Sequence, residues 1–401
     1  MNNGWQTKTL GEACEIKPPK SEVRDRLSAD GLVSFLPMED LGINEKFVRA
    51  TQTKPLSKVV GGYTYFADGD VLLAKITPCF ENGKLGVAER LTNGIGFGSS
   101  EYIVFRPNGT LSKEWLYYYL SRETFRVEGA ARMSGAVGHK RVAKEFIEHY
   151  PIPVPPLPEQ RRIVRILDEA FDGIATAKAN AEKNLQNARA LFESHLQSVF
   201  DTKSEQIRLS ELATDITDGD HSPPPKAASG VPFITISDIV KPTRTIDFSN
   251  TFSVPHEYFN NLKQNKKPRP GDILYTVTGA TLGIPVLVKE KMDFCFQRHI
   301  GLVRPKPETD SVWLSYALLS PQVFRQATVR STGAAQKTVS LAVLRSITVP
   351  KLRLSEQRAI AEKLDALTAE TQRLVSVYEQ KLAALDSLKK SLLHQAFSGN
   401  L

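Results

Sequence analysis

Residues 153–168 read Pro153-Val154-Pro155-Pro156-Leu157-Pro158-Glu159-Gln160-Arg161-Arg162-Ile163-Val164-Arg165-Ile166-Leu167-Asp168. Residues 350–365 read Pro350-Lys351-Leu352-Arg353-Leu354-Ser355-Glu356-Gln357-Arg358-Ala359-Ile360-Ala361-Glu362-Lys363-Leu364-Asp365. Glu159, Gln160, Arg161, Ile163, Leu167 and Asp168 return as Glu356, Gln357, Arg358, Ile360, Leu364 and Asp365, each 197 positions later. The register holds without a gap to Phe200 and Phe397. A repeat this long is half the chain, so the protein is one duplicated unit and not a solenoid of short repeats.

The stretch upstream of each copy matches more loosely. Gly69-Asp70-Val71-Leu72 resembles Gly271-Asp272-Ile273-Leu274, Arg106-Pro107 returns as Arg304-Pro305, and Trp115-Leu116 returns as Trp313-Leu314. Offsets here wander between 197 and 202, so loops differ in length between the halves. The order is a variable domain (residues 1–150), a uniform segment (151–200), a second variable domain (201–348) and a second uniform segment (349–401).

The uniform segments read as long helices. The five prolines between Pro151 and Pro158 favour an extended approach, and no proline follows until Pro223. In the second copy Ser355 is the expected N-cap. Ile360, Leu364, Leu367, Thr371, Leu374 and Tyr378 then step as a heptad seam. The phase slips to Leu382, Leu385, Leu388 and Leu392, as a four-residue stutter does. In the first copy the seam runs through Ala170, Ile174, Ala177 and Asn184, then Leu185, Ala188, Leu191, Leu196 and Phe200. Each helix spans roughly 43 residues and about 65 Å at 1.5 Å per residue. A solvated connector is the plain alternative, but a polar-faced helix this long needs a partner. Connectivity makes the pair an antiparallel coiled coil, so the expected architecture is pseudo-twofold symmetric. Duplex DNA has the same kind of dyad, and two unlike readers fit a split site with unlike halves.

The variable domains carry short β-rich runs, Val71–Leu73, Tyr102–Phe105, Phe233–Ile236, Ile273–Val277 and Ile300–Val303. Segments Trp115–Phe125 and Trp313–Phe324 read as short amphipathic helices. The fold class is therefore α+β, with a twisted and mostly antiparallel sheet in each variable domain.

Composition excludes several classes. The net charge of +8, from 52 Lys and Arg against 44 Asp and Glu, suits a nucleic-acid binder without proving one. There is no run of 18 apolar residues, so no membrane span is expected. Cys14, Cys79 and Cys295 show no disulfide or metal spacing, which points to a reducing, cytoplasmic setting. No Walker loop, HExxH or aminomethyltransferase Pro-Pro-aromatic motif is present, and no catalytic or metal residue is assigned. Asn93–Gly98 reads as a turn and not as a cofactor loop. Asp215, Asp218, Asp220 and His221 are followed by Ser222 and three prolines, and read as a recognition or turn segment instead of a metal site.

The functional candidates are basic and polar loop residues. Arg132, Ser134, His139 and Lys140 lie in a glycine-centred loop that recurs with Arg330, Thr332, Gln336 and Lys337. Lys266, Lys267 and Arg269 form a basic loop before a strand, and Lys75, His221 and Thr278 complete the set. Such residues fix register on phosphates or read base edges, and a solvated loop is the alternative for each.

With these residues in view, the whole chain resembles the specificity subunits of type I restriction–modification systems. The resemblance is carried by the repeated lead into Glu-Gln-Arg at residues 155–161 and 354–358, by Asp218–Pro223, by Gly271–Leu274 and by the ending Leu393–Gly399. The second lead keeps only Pro350 of the proline run. The resemblance implies two target-recognition domains, each reading half of a bipartite site in double-stranded DNA. It implies that the paired helices are a spacer and the docking surface for two modification subunits, with Glu159, Gln160, Arg161, Glu356, Gln357 and Arg358 at the subunit interface. S-adenosylmethionine, ATP and Mg would then be held by the modification and restriction subunits, and no cofactor by this chain. A stand-alone duplicated DNA-binding regulator is the alternative.

Overall fold

A computed structural model describes residues 4–24, 26–201, 204–221, 224–279, 281–329 and 337–401. The chain divides into two compact units, Met1–Glu182 with Gln380–Leu401, and Lys183–Glu379. The division cuts through both long helices, Leu157–Phe200 and Leu354–Ser398, so each unit holds part of each helix.

In the first unit a four-stranded antiparallel sheet runs in the order Cys14–Ile16, Tyr102–Pro107, Val71–Ala74 and Leu85–Val87. A second sheet runs Gln52–Pro55, Leu32–Leu36, Ile95–Gly98 and Thr64–Ala67, with the middle two strands parallel. Strand Gln6–Thr9 pairs with Pro151–Val154, so the proline-rich lead is extended, as its prolines require, and closes this unit.

The second unit repeats the plan. Its four-stranded sheet runs Ala213–Asp218, Ile300–Pro305, Ile273–Thr276 and Pro285–Leu287. Its companion runs Phe252–Val254, Val231–Ile234 and Cys295–Phe296, again with one parallel pair. Gln206–Arg208 pairs with Thr348–Pro350. Each unit therefore has two main sheets where one was expected, and most of their pairings are antiparallel.

A buried ion pair fixes the same corner twice. Gly69 and Gly271 both take φ +92°, a conformation open to glycine, and turn the chain into Asp70 and Asp272. Asp70 accepts from Nε and Nη2 of Arg106 at 2.8 and 2.9 Å, and Asp272 from those of Arg304 at 3.0 and 2.8 Å. Of the turn expected at Asn93–Gly98, only Asn93 and Gly94 form one. Ile95–Gly98 is an inner strand, and a Cβ on Gly96 would sit 2.1 Å from the Phe66 ring.

The Trp115 and Trp313 segments are also different from expectation. Each is a pair of helices, Lys113–Leu120 with Glu123–Ala130, and Ser311–Leu319 with Pro321–Val329. The leading helices are not amphipathic, because Trp115 to Leu120 and Trp313 to Leu318 are all buried. They are wrapped by the sheet on one side and by the long helices on the other. In the first unit Phe397 packs on Trp115 with ring centroids 4.4 Å apart, and in the second Phe200 approaches Trp313 at 6.2 Å. Burying such aromatics dominates a core of this kind.

The long helices run antiparallel within each unit. In the first, Arg162 reaches the Leu401 carbonyl while Lys178 pairs with Asp386. In the second, Arg189 pairs with Glu379, and Leu196 and Phe200 share a core with Ala361 and Leu364. The cap of the second helix is Arg353 and not Ser355: the Arg353 N–H donates to the Glu356 carboxylate at 2.8 Å. The seam also departs from the expected one. Leu191 and Leu388 are exposed, at 54% and 46%, as is Asn184, while Ala181, Phe192 and Lys389 take the inward positions.

Candidate nucleic-acid interface

In the first unit the strands Cys14–Ile16, Val71–Ala74 and Tyr102–Pro107 share an end, because Ala74 stands opposite Tyr102 and Lys17 donates its N–H to the Val104 carbonyl. Past that end Lys75 accepts from Val142 and donates to Glu101, both at 2.9 Å, and Thr77 donates to Lys140 at 2.9 Å. Ser134 and Arg141 exchange both backbone bonds, so the Arg132–Lys140 loop is a hairpin fastened to the strand end. The structure thus brings Lys75, Ser134, His139 and Lys140 together. Arg132 starts the hairpin but is turned back, donating to the Glu128 carbonyl at 2.8 Å with its guanidinium over Phe146.

The electrostatics of this end rest on Glu101. Arg141 donates to both of its oxygens, at 2.9 and 2.7 Å, and Lys75 Nζ is 3.9 Å away. The Arg141 hydrogen bonds, aided by Lys75, hold the Glu101 carboxyl below the usual carboxylate range against the opposing effect of burial. Beside it opens a cleft of about 770 Å³ lined by Lys17, Lys20, Tyr63, Lys75, Ser100 and Lys144. Sequence reasoning missed Lys17, Lys20, Arg141 and Lys144. The Lys17-Pro18-Pro19-Lys20 turn was the available signal.

The second unit builds the same end. Asp218 stands opposite Gly301, Thr276 opposite Ile300, Val277 donates to the His299 carbonyl and Val339 to the Val277 carbonyl. Thr278 Oγ1 donates to the Lys337 carbonyl at 3.3 Å, so these two candidates meet. Arg330, Thr332 and Gln336 lie outside the described residues. His221 Nε2 is 2.9 Å from Asp218, and Lys266 Nζ donates to the Gly219 carbonyl at 3.2 Å. Both are thereby tied to the loop that leaves the strand end.

Lys267 and Arg269 are elsewhere. Arg269 donates its N–H to Asp272, at the opposite end of strand Ile273–Thr276 from Thr278, and Lys267 Nζ donates to the Asn260 carbonyl. They lie in the loop before the strand, where the sequence placed them, at the end away from Thr278. The unanticipated members of the Thr278 end are Arg298 and His299, with Arg298 exposed.

The Glu-Gln-Arg motif turns out to be largely internal. Gln160 and Gln357 are 0% and 2% exposed. Gln160 Oε1 accepts from the Ser112 N–H and its Nε2 donates to the carbonyls of Thr110 and Pro155. Gln357 accepts from the Asp310 N–H at 2.8 Å and donates to the Leu352 carbonyl. An interface role for Gln160 and Gln357 is therefore corrected, since neither has surface to offer a partner. Asp168 and Asp365 act alike, accepting from the Tyr118 and Tyr316 hydroxyls. Arg161, Glu356 and Arg358 are exposed, while Glu159 is half-buried and paired with Arg162.

Among the described residues no group of His, Cys, Asp and Glu is placed to hold a metal ion, and Asp220 is engaged by the Tyr258 hydroxyl at 2.7 Å. Burial pushes the Cys14 and Cys295 thiols up to about 12, so neither is a nucleophile near neutral pH. Among the described residues no helix is long and apolar enough to cross a membrane.

Comparison with known proteins bears on this arrangement. A family model described as the type I restriction modification DNA specificity domain matches residues 2–186 and again residues 204–382. The chain is 34% identical over 207 residues to the type I restriction enzyme EcoEI specificity subunit of Escherichia coli, covering 51% of this chain and 34% of that protein. It is 39% identical over 165 residues to the EcoAI specificity subunit of the same species, covering 41% of this chain and 27% of that one. These matches thus span about a third or less of the Escherichia coli proteins. Two solved structures share the fold, each at 21% identity over 100% of this chain. One comes from work on complex assembly and conformational transition of the type I R-M system, with TM-score 0.79 and 99% of that chain covered. The other is the HsdS subunit from Thermoanaerobacter tengcongensis, with TM-score 0.69 and 98% covered. The double match, one domain per unit and together most of the chain, means that this protein belongs to the type I restriction–modification DNA specificity domain family.

Proposed function

We propose that the chain is the DNA-reading subunit of a type I restriction–modification complex in the cytoplasm, with each unit reading one half of a bipartite, asymmetric site. The observation that carries this reading is the strand end built twice on one backbone plan but furnished with different side chains. Lys75, Glu101 and Arg141 stand in one unit where Val277, His299 and Thr338 stand in the other. A shared frame explains a shared task, and unlike side chains explain unlike half-sites.

In this reading the chain has no catalytic step of its own. Two modification subunits would dock on the exposed faces of the long helices, where Leu191, Val377 and Leu388 leave apolar surface. Those subunits would hold S-adenosylmethionine and methylate adenine, and a restriction subunit would use ATP and Mg. The work of this chain would be to bind, orient and select DNA. Lysines at the cleft would take phosphates and set register, while hairpin and turn side chains would read base edges.

The test is a methyl-transfer assay on duplex DNA with the chain alone, the modification subunit alone and the two co-purified. Only the co-purified complex is expected to methylate, and only adenines in one split sequence. Methylation by the chain alone, or by the complex without sequence preference, would contradict the proposal.

A further inference from the structure

The turns Ser99–Tyr102 and Gln297–Ile300 are the same piece of backbone in the two units. In each, the fourth residue donates its N–H to the first residue's carbonyl, Tyr102 to Ser99 and Ile300 to Gln297, both at 3.1 Å. In each, the third residue's carbonyl is held by the neighbouring strand, Glu101 by the Lys75 N–H at 2.9 Å and His299 by the Val277 N–H at 3.0 Å. In the second unit the Gln297 N–H also donates to the Ile234 carbonyl at 3.0 Å. A turn pinned at both ends fixes the backbone of its two middle residues at the strand end, so little backbone entropy is lost when they meet a ligand.

Those two middle residues are where the units part. The first unit has Ser100-Glu101 and the second has Arg298-His299. Glu101 is occupied, gripped by both arms of Arg141. Arg298 is in the opposite situation. It is exposed, and among the described residues it forms no ion pair. Its one described side-chain bond runs from Nε to His299 Nε2 at 3.4 Å. That leaves the two terminal nitrogens of a planar fork facing solvent from a rigid turn. A fork of this kind matches the O6 and N7 acceptors that guanine shows in the major groove.

We infer that Arg298 is a base-reading residue of the second unit and that its target is a guanine. The inference rests on the DNA reading proposed above and names the selecting group of that site. Phosphate contacts of the lysines position the duplex; Arg298 discriminates on it. The equivalent place in the first unit presents Ser100, a hydroxyl that accepts or donates, so the two half-sites differ at this step.

The experiment is genome-wide mapping of modified adenines in a host that makes the full chain with its modification subunit. Arg298→Ala is expected to lose preference for guanine at one position of one half-site by about tenfold to a hundredfold. The other half-site is expected to stay unchanged. Arg298→Gln is expected to move that position toward adenine, whose N6 and N7 suit a carboxamide. A motif unchanged in both variants overturns the role of Arg298 while leaving the DNA reading intact. Uniform weakening at every position makes Arg298 a phosphate contact and overturns it as well. A wild-type chain that directs no motif overturns the DNA reading itself.

Discussion

The side-chain oxygen of Gln160 accepts the backbone N–H of Ser112 at 2.8 Å, tying the start of a long helix to the cap of the buried helix beside it. Gln357 and Asp310 repeat the bond at 2.8 Å in the second unit. The repeated motif is thus a latch within each unit. Gln160→Ala removes the partner of the buried Pro155 carbonyl, of the half-buried Ser112 N–H and of the Thr110 carbonyl. The expected loss is about 2–4 kcal/mol, read as a lower urea midpoint. Arg161→Ala, one residue on and exposed, should change stability by less than about 0.5 kcal/mol.

The Asp70–Arg106 pair makes a second prediction. Asp70 is 1% exposed, so Asp70→Ala leaves Arg106 half-buried with Glu22 as its remaining carboxylate. Breaking a buried pair from one side costs about 3 kcal/mol. Thermal unfolding of Asp70→Ala and Asp272→Ala should show comparable losses, because Arg304 depends on Asp272 in the same way.

Glu101 gives the Arg132–Lys140 hairpin an acid dependence. Its carboxyl titrates lower in the folded chain than the unfolded value of about 4.3, chiefly because of Arg141. A lowered folded value stabilises fully above the unfolded one, and that contribution is lost as pH falls through the folded one. Hydrogen exchange at the Ser134 and Arg141 amides should therefore stay slow at neutral pH and accelerate in acid. In Glu101→Gln the acid-dependent step should vanish.

Lys17 and Lys144 line the cleft, and Lys144 has a 76% exposed side chain held only by Glu148. If each neutralises one phosphate, the double variant Lys17→Ala with Lys144→Ala flattens the plot of log affinity against log salt by about two units. Titrations at four or five salt concentrations measure this. Sequence preference should not move, because phosphate contacts carry no base information.

Much of this was legible beforehand, and the gaps have physical causes. The fixed offset marked the long helices because a helix cannot take a one-residue insertion without turning its buried face. Gly69-Asp70 and Gly271-Asp272 stood out as a repeated pair, and the structure gives the reason, since φ +92° favours glycine. The seam was misread near its end. Past the slip the inward positions step 3, 4, 3 through Leu382, Leu385, Lys389 and Leu392, so Lys389 replaces Leu388, with its Nζ over the Phe171 ring and donating to Asn44. Burial, with Lys178 nearby, lowers the affinity of Lys389 for its proton. A lysine in a seam is invisible to apolar periodicity. Gln160 was mistaken for a surface residue because a polar side chain is buried only when its partners are supplied, and these come from residues 110–112, some fifty positions away. Arg298 carried no motif, since its place is defined by ladder bonds to Ile234 and Val277 and not by its neighbours in sequence.

The central claim is that two similar units read two unlike half-sites. Its most direct test is the map of modified adenines in a host expressing the unaltered chain with its modification subunit. The account predicts one motif made of two different blocks separated by a fixed run of unspecified bases. It also predicts that changes in the Arg132–Lys140 hairpin alter only one block. A single contiguous motif, or two blocks that both change with that hairpin, would contradict it.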